Sequence, residues 1–179
     1  MLENLLLPKK KAILKKWFDL IVETYPEETS RFLRREKDPF ANPVGSTIAE
    51  GIEEVFEELL KGNDTDRFTS FLDRIIRVRA IQDFTPSQAI AFIFLLKKVV
   101  REEAEKEIRE KNLSDELVKF ESKIDALALL SFDIYIKCRE KLYEVRANEV
   151  KNRYLYLLKR ANLLYEIPEQ GSEEHDNVH

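Results

Sequence analysis

Apolar positions recur along this chain with the spacing of helices, three and four residues apart, and hardly anywhere with the alternation of strands. Over residues 9–25 the apolar side chains Ile13, Trp17, Leu20, Ile21 and Tyr25 form one stripe, with Lys10, Lys15 and Lys16 mostly opposite, so a helix ending at Pro26 is predicted. Glu27–Arg35 reads as a short helix with its acidic residues in the favoured first turn. The loop Asp38–Gly45 holds two prolines, each pushing the residue before it out of the helical region, and Asn42-Pro43 is suited to cap the next helix. This third helix is predicted to run to about Leu60, burying Ile48, Ile52, Val55, Phe56 and Leu59, with Gly51 allowing close helix contact. Lys61-Gly-Asn-Asp64 supplies a C-cap glycine and a new cap. A fourth helix, about Thr65–Ile81, buries Phe68, Phe71, Leu72, Ile75 and Val78.

The fifth helix has the clearest start. Thr85 can cap it, Pro86 occupies the first helical position without losing a hydrogen bond, and Gln88 completes a capping box. Ala89–Leu96 is then apolar on every side, which predicts a helix without a solvent face. After Val100 the same helix turns strongly charged to about Lys111 and reads as solvated.

From Ser114, an N-cap, to about residue 165 there is neither proline nor glycine; a continuous helix would span ~75 Å at ~1.5 Å per residue. Leu117, Phe120, Ile124, Leu127, Ser131, Ile134 and Cys138 keep a 4-3 spacing, as in a coiled-coil seam. Leu129, Phe132 and Ile136 lie opposite, so this stretch needs two partners: the domain's own core and the same helix of a second copy. The stripe fades over Arg146–Arg153, where a kink or break at 147–152 is allowed, and from Pro168 the polar tail is expected to be disordered. No strand and no internal repeat is readable. The fold class is all-α, with about five to six helices and a very long last one.

Composition narrows the function. The 179 residues, 44% hydrophobic and 36% charged, describe about one domain with a very polar surface. Four glycines leave no glycine-rich phosphate cradle, and a net charge of −4 gives no general attraction to nucleic acid or an anionic membrane. Lys9-Lys10-Lys11 and Lys15-Lys16 lack interleaved aromatics, so neither nucleic acid nor membrane is expected as a partner. The N-terminal apolar patch has no basic leader or cleavage pattern, and the longest apolar run, 89–96, is far short of the ~20 residues a span needs. A single cysteine, Cys138, fits a reducing cytoplasm. Abundant Lys and Glu with few Gln, Met and Cys lean towards a heat-adapted source.

Little catalytic chemistry is available. Both histidines, His175 and His179, fall in the tail, which leaves none in the core for a general base, a haem ligand or a zinc site. Cys138 sits on the predicted seam, where a thiol behaves as a small hydrophobe, and Asp125 and Asp133 read as ion-pair partners before metal ligands. No catalytic, cofactor-binding or metal-binding residue is assigned.

The better polar cluster is Arg77, Arg79, Gln82 and Asp83, beside the most apolar stretch, with Gln88 and Asn42 as further members. The two arginines cannot share a helix face, so one is expected at the core boundary and the other towards solvent. An arginine pairing with a small carboxylate or phosphate competes here with an Arg–Asp bridge that ties down the turn at 82–85. The bridge is the favoured reading.

Trp17 with Ile21, Tyr25-Pro26, Asp38-Pro-Phe-Ala-Asn-Pro-Val-Gly45 and Asp73-Arg-Ile-Ile-Arg-Val-Arg-Ala-Ile-Gln-Asp-Phe-Thr-Pro-Ser-Gln-Ala89 together resemble the N-terminal domain of RsbR/RsbRD-type proteins, co-antagonists of the kinase RsbT in bacterial stress signalling. The resemblance covers roughly residues 10–145 and implies a single globin-like helical bundle without haem, dimeric through its long last helix. A domain at 1–145, a helical extension at 146–166 and a tail at 167–179 are expected, and the chain has no room for the output module that family members commonly carry. The function expected is non-enzymatic sensing or protein interaction in the cytoplasm, as a homodimer with an unidentified protein partner and no cofactor. The alternatives are a small-molecule binding protein for a carboxylate- or phosphate-like ligand, or an accessory subunit of a larger enzyme complex.

Overall fold

Thr85 does cap the fifth predicted helix. Its hydroxyl accepts the Gln88 amide at 3.3 Å while Gln88 Oε1 accepts the Thr85 amide at 3.0 Å. The computed structural model describes residues 2–61, 65–82 and 84–161, and among these every regular element is a helix. They are α1 (Leu2–Leu6), a 3-10 turn (Leu7–Lys9), α2 (Lys10–Val22), α3 (Glu27–Arg35), α4 (Pro43–Lys61), α5 (Thr65–Ile81), α6 (Pro86–Glu110) and α7 (Ser114–Arg160). The cap at residues 62–64, Asp83 and the tail with His175 and His179 lie outside the described residues.

Two compact units are distinguished, Met1–Lys141 and Leu142–His179. In the first, α2 lies against α4 and α6, α4 against α5, and α5 against α6. Trp17 of α2 is wholly buried and its indole N–H donates to the Phe92 carbonyl at 2.7 Å, the partner a buried indole requires. Gly51 brings α4 onto α5: a Cβ added there would come within 2.6 Å of Ile75 Cδ1. Asn112 takes a left-handed turn (φ 53°) after α6, and the Leu113 amide closes onto the Ile108 carbonyl at 2.9 Å, which turns the chain into α7.

Helices α6 and α7 run antiparallel, joined by Lys97–Asp125 at 2.6 Å and by Arg101, whose Nε and Nη2 reach Glu121 at 2.5 and 2.7 Å. All seven seam residues behave as the spacing predicts: Phe120, Ile124, Leu127, Ser131 and Ile134 are buried, and Leu117 and Cys138 pack partly buried against the core. Cys138 is half-buried at the same edge.

Two expectations need correction, and one stretch without a predicted element gains one. The N-terminal apolar patch is a helix whose Leu2, Leu5 and Leu6 are buried in the core. Helix α6 does have an outward side, because Phe94 is 45% exposed where α7 leaves it uncovered. And α7 passes unbroken through 147–152. The apolar stripe fades there for want of a core to cover, while residues such as Glu149, Lys151 and Arg153 still favour helix.

Candidate functional site

Two residues apart on α5, Arg77 and Arg79 are separated by about 200° of helix at 3.6 residues per turn. Arg77 is exposed and pairs with Asp73 one turn earlier at 2.9 Å. Arg79 points inward and is completely buried. Its Nη2 donates to Thr24 Oγ1 at 3.1 Å and to the Gln88 carbonyl at 3.0 Å. Three rings surround the guanidinium: its carbon lies 4.1 Å from the centroid of Phe84, 5.2 Å from that of Tyr25 and 5.7 Å from that of Phe92. Tyr25 and Phe84 meet edge to face at 5.2 Å.

Among the described residues Nε and Nη1 of Arg79 have no hydrogen-bond partner, and no carboxylate pairs with the group. Burial pushes the Arg79 pKa down, with Tyr25 partly offsetting it, yet a guanidinium remains protonated under all ordinary conditions. Burial likewise pushes the Tyr25 phenol up, against the pull of the Arg79 cation. Among the described residues, face-on aromatic contact compensates this charge, worth about 0.5–2 kcal/mol per favourable contact.

Above the cage is a cleft of about 360 Å³ whose wall includes Thr24, Tyr25, Thr29, Gln82, Phe84 and Gln88. Gln82 Oε1 accepts from the Tyr25 hydroxyl at 3.1 Å. The turn beneath is tied to α7, where the Tyr135 hydroxyl donates to the Phe84 carbonyl at 2.5 Å and Arg139 Nη1 to the Ala80 carbonyl at 3.0 Å.

Of the polar cluster anticipated from the sequence, Arg79, Gln82 and Gln88 come together here, whereas Arg77 faces away. Asp83 lies outside the described residues, so the Arg–Asp bridge cannot be placed. Asn42 is engaged elsewhere: its Oδ1 accepts the Gly45 amide at 2.8 Å, and its Nδ2 donates to the carbonyls of Leu33 at 3.2 Å and Glu36 at 3.0 Å. It caps α4 and clamps the end of α3. Sequence reasoning missed Thr24, Tyr25 and Phe84 as members of the cage. The pairing of Tyr25 with Phe84 has no local signal, since the two are far apart in the chain.

A second feature is the outward face of α7. Leu129 is 72% and Phe132 41% exposed, while Ile136 is half-buried and packs partly on the core. The 97/125 and 101/121 pairings place Phe94 of α6 beside Leu129, which enlarges the patch. In the second unit Tyr143, Val150 and Leu157 are exposed and seven residues apart. That seven-residue series was present in the sequence, masked by the buried 4-3 seam on the other side.

Burial raises the Cys138 thiol above its ordinary pKa, which leaves it a poor nucleophile. Among the described residues no group of three or more His, Cys, Asp or Glu could gather around a metal ion, and no helix is long and apolar enough to cross a membrane. A family model described as the RsbT co-antagonist protein rsbRD N-terminal domain matches residues 11–150, which takes in the Arg79 cage and most of α7. That description is of a regulatory signalling domain. No curated protein and no solved structure matches the chain.

Proposed function

The chain belongs to the family of RsbT co-antagonist rsbRD N-terminal domains, and from that premise we propose that it is a non-enzymatic regulatory domain that acts as a homodimer and passes its state to a protein partner. The observation that carries the reading is the outward apolar face of α7. Leu129 and Phe132, with Phe94 beside them, leave a large apolar patch in water, and covering each such side chain is worth up to about 1.5–3 kcal/mol. A second copy offers the same patch, and a two-fold interface makes it self-complementary.

Tyr143, Val150 and Leu157 keep the same seven-residue spacing as Leu129 and Ile136, the repeat that lets helices pair along a left-handed seam. The five consecutive exposed residues Tyr154–Leu158 are the element we assign to the partner. A cytoplasmic setting and a role in stress signalling go with this reading, as the co-antagonist family suggests.

Sedimentation velocity on the wild type and on a Leu129→Glu/Phe132→Glu variant tests it. The wild type is expected to sediment as a dimer and the variant as a folded monomer with unchanged helicity by circular dichroism. A variant that stays dimeric would place the interface elsewhere.

A further inference from the structure

Beyond Lys141 the last helix carries its charge in register with its apolar positions. Tyr143, Ala147, Val150, Tyr154 and Leu157 follow the 4-3 spacing of a coiled-coil seam, and all five are exposed. Arg146, Arg153 and Arg160 are also exposed and stand seven residues apart, a row along one flank of that seam with a step of ~10.5 Å at ~1.5 Å per residue. The other flank, Glu144, Lys151 and Leu158, has no single sign. With Lys151 and Lys159 beside the three arginines, against Glu144 and Glu149, residues 142–161 form a basic segment in a chain of net charge −4.

We propose, resting on the assignment of this extension to a partner, that it docks an acidic amphipathic helix of another protein. The apolar stripe of that helix lies on the 143–157 seam, and a row of Asp or Glu meets the three arginines. A second copy of this chain is a poor occupant. Antiparallel pairing sets the arginine row against itself, and parallel pairing sets Arg146 against Lys151 of the partner subunit and leaves Arg153 facing Leu158 of the partner subunit. An acidic row gives each arginine a carboxylate. Arginine at all three positions fits this, because the planar guanidinium holds a carboxylate through two parallel hydrogen bonds and an ammonium does not.

The placing of the charges separates a helix from other acidic surfaces. A helix lying in a membrane surface carries its cations on the face away from its apolar one. Here the arginines flank the seam, while the far side holds Asn148, Asn152 and Leu155. Nucleic acid would meet the arginines but leave Val150 and Leu157, both about half exposed, in water. An amphipathic helix covers the seam and the arginine row together.

Fluorescence anisotropy of labelled designed helices, titrated with the full chain, tests it. The probes are peptides of about four heptads with Ile and Leu at the two seam positions and Glu, Gln or Lys at both flanks. The Glu peptide is expected to bind roughly tenfold tighter than the Gln peptide or more, and the Lys peptide not at all, with the preference shrinking as salt is added. Arg146→Glu/Arg153→Glu is expected to reverse the order and take the Lys peptide instead. Arg146→Gln/Arg153→Gln, the milder change, is expected to abolish the preference, and circular dichroism checks that both variants keep the wild-type helicity. A Glu-peptide preference that persists in both variants overturns the proposal, as does tighter binding of a DNA duplex or of phosphatidylserine vesicles. Equal binding of all three peptides overturns the acidic partner but leaves the partner role of the extension standing, whereas binding of none overturns both.

Discussion

The guanidinium carbon of Arg79 stands 4.1 Å from the centre of the Phe84 ring, and the Tyr25 ring meets that same ring edge-on at 5.2 Å. One aromatic side chain therefore covers a buried cation and braces the end of α2. Phe84→Leu removes both contacts while keeping an apolar side chain. From about 0.5–2 kcal/mol for the cation contact and about 0.5–1.5 for the ring pair, a loss of ~1–3 kcal/mol is expected. Urea unfolding measures it, and a change below ~0.5 kcal/mol would show that the ring bears no such load.

Gly51 sits where α4 meets α5, and an added Cβ would come within 2.6 and 2.7 Å of Ile75 Cδ1 and Cγ1. Alanine gains about 1 kcal/mol of helix propensity over glycine. Ile75 is wholly buried and has little room to move, so overpacking at about 1–3 kcal/mol outweighs that gain. Gly51→Ala is expected to lower stability by up to ~2 kcal/mol in chemical denaturation. A more stable variant would mean that Ile75 turns aside freely.

Asn42 works through both ends of its amide. Asn42→Asp keeps an oxygen for the Gly45 amide but turns a carboxylate towards the Leu33 and Glu36 carbonyls. Asn42→Ala loses the cap and both Nδ2 contacts but brings in no charge, at a cost of about 1–2 kcal/mol for the cap and more for the two carbonyls left without a donor. Aspartate is normally as good a cap as asparagine, so an aspartate variant no more stable than the alanine one is the diagnostic result.

Glu57 accepts from Lys10 at 2.5 Å and from Lys61 at 2.8 Å, and these two lysines hold its carboxyl down at about 2, against an ordinary value of 4.5. A folded value below the unfolded one means stability that is complete above pH 4.5 and is lost as the pH falls through about 2. The stability difference between wild type and Glu57→Gln is expected to be flat from neutral pH to about 5 and to shrink below that. The site is well exposed, so the plateau is small, within ~0.2–1 kcal/mol. A difference that grows on acidification would contradict the assignment.

Helix ends with chemical punctuation were legible in the sequence. Thr85, Pro86 and Gln88 mark the start of α6, and Gly51 announced a close contact that Ile75 now explains. Two residues, Arg77 and Arg79, could be divided between surface and interior by helix geometry, but which went inward depends on where Tyr25 and Phe84 arrive.

Such long-range pairings leave no periodic trace. Helix α1 was missed because five residues are too few to display a period, and Leu2 is buried only once its amide reaches Glu116 at 2.6 Å. The exposed Phe94 was missed for the opposite reason. A run apolar on every side says nothing of which side a neighbour leaves open.

Native mass spectrometry of the wild-type chain under gentle conditions most directly tests the view of this protein as a dimeric regulatory domain. A dominant species at twice the 21.1 kDa chain mass is predicted at low micromolar concentration. A spectrum that holds only the 21.1 kDa monomer would contradict it.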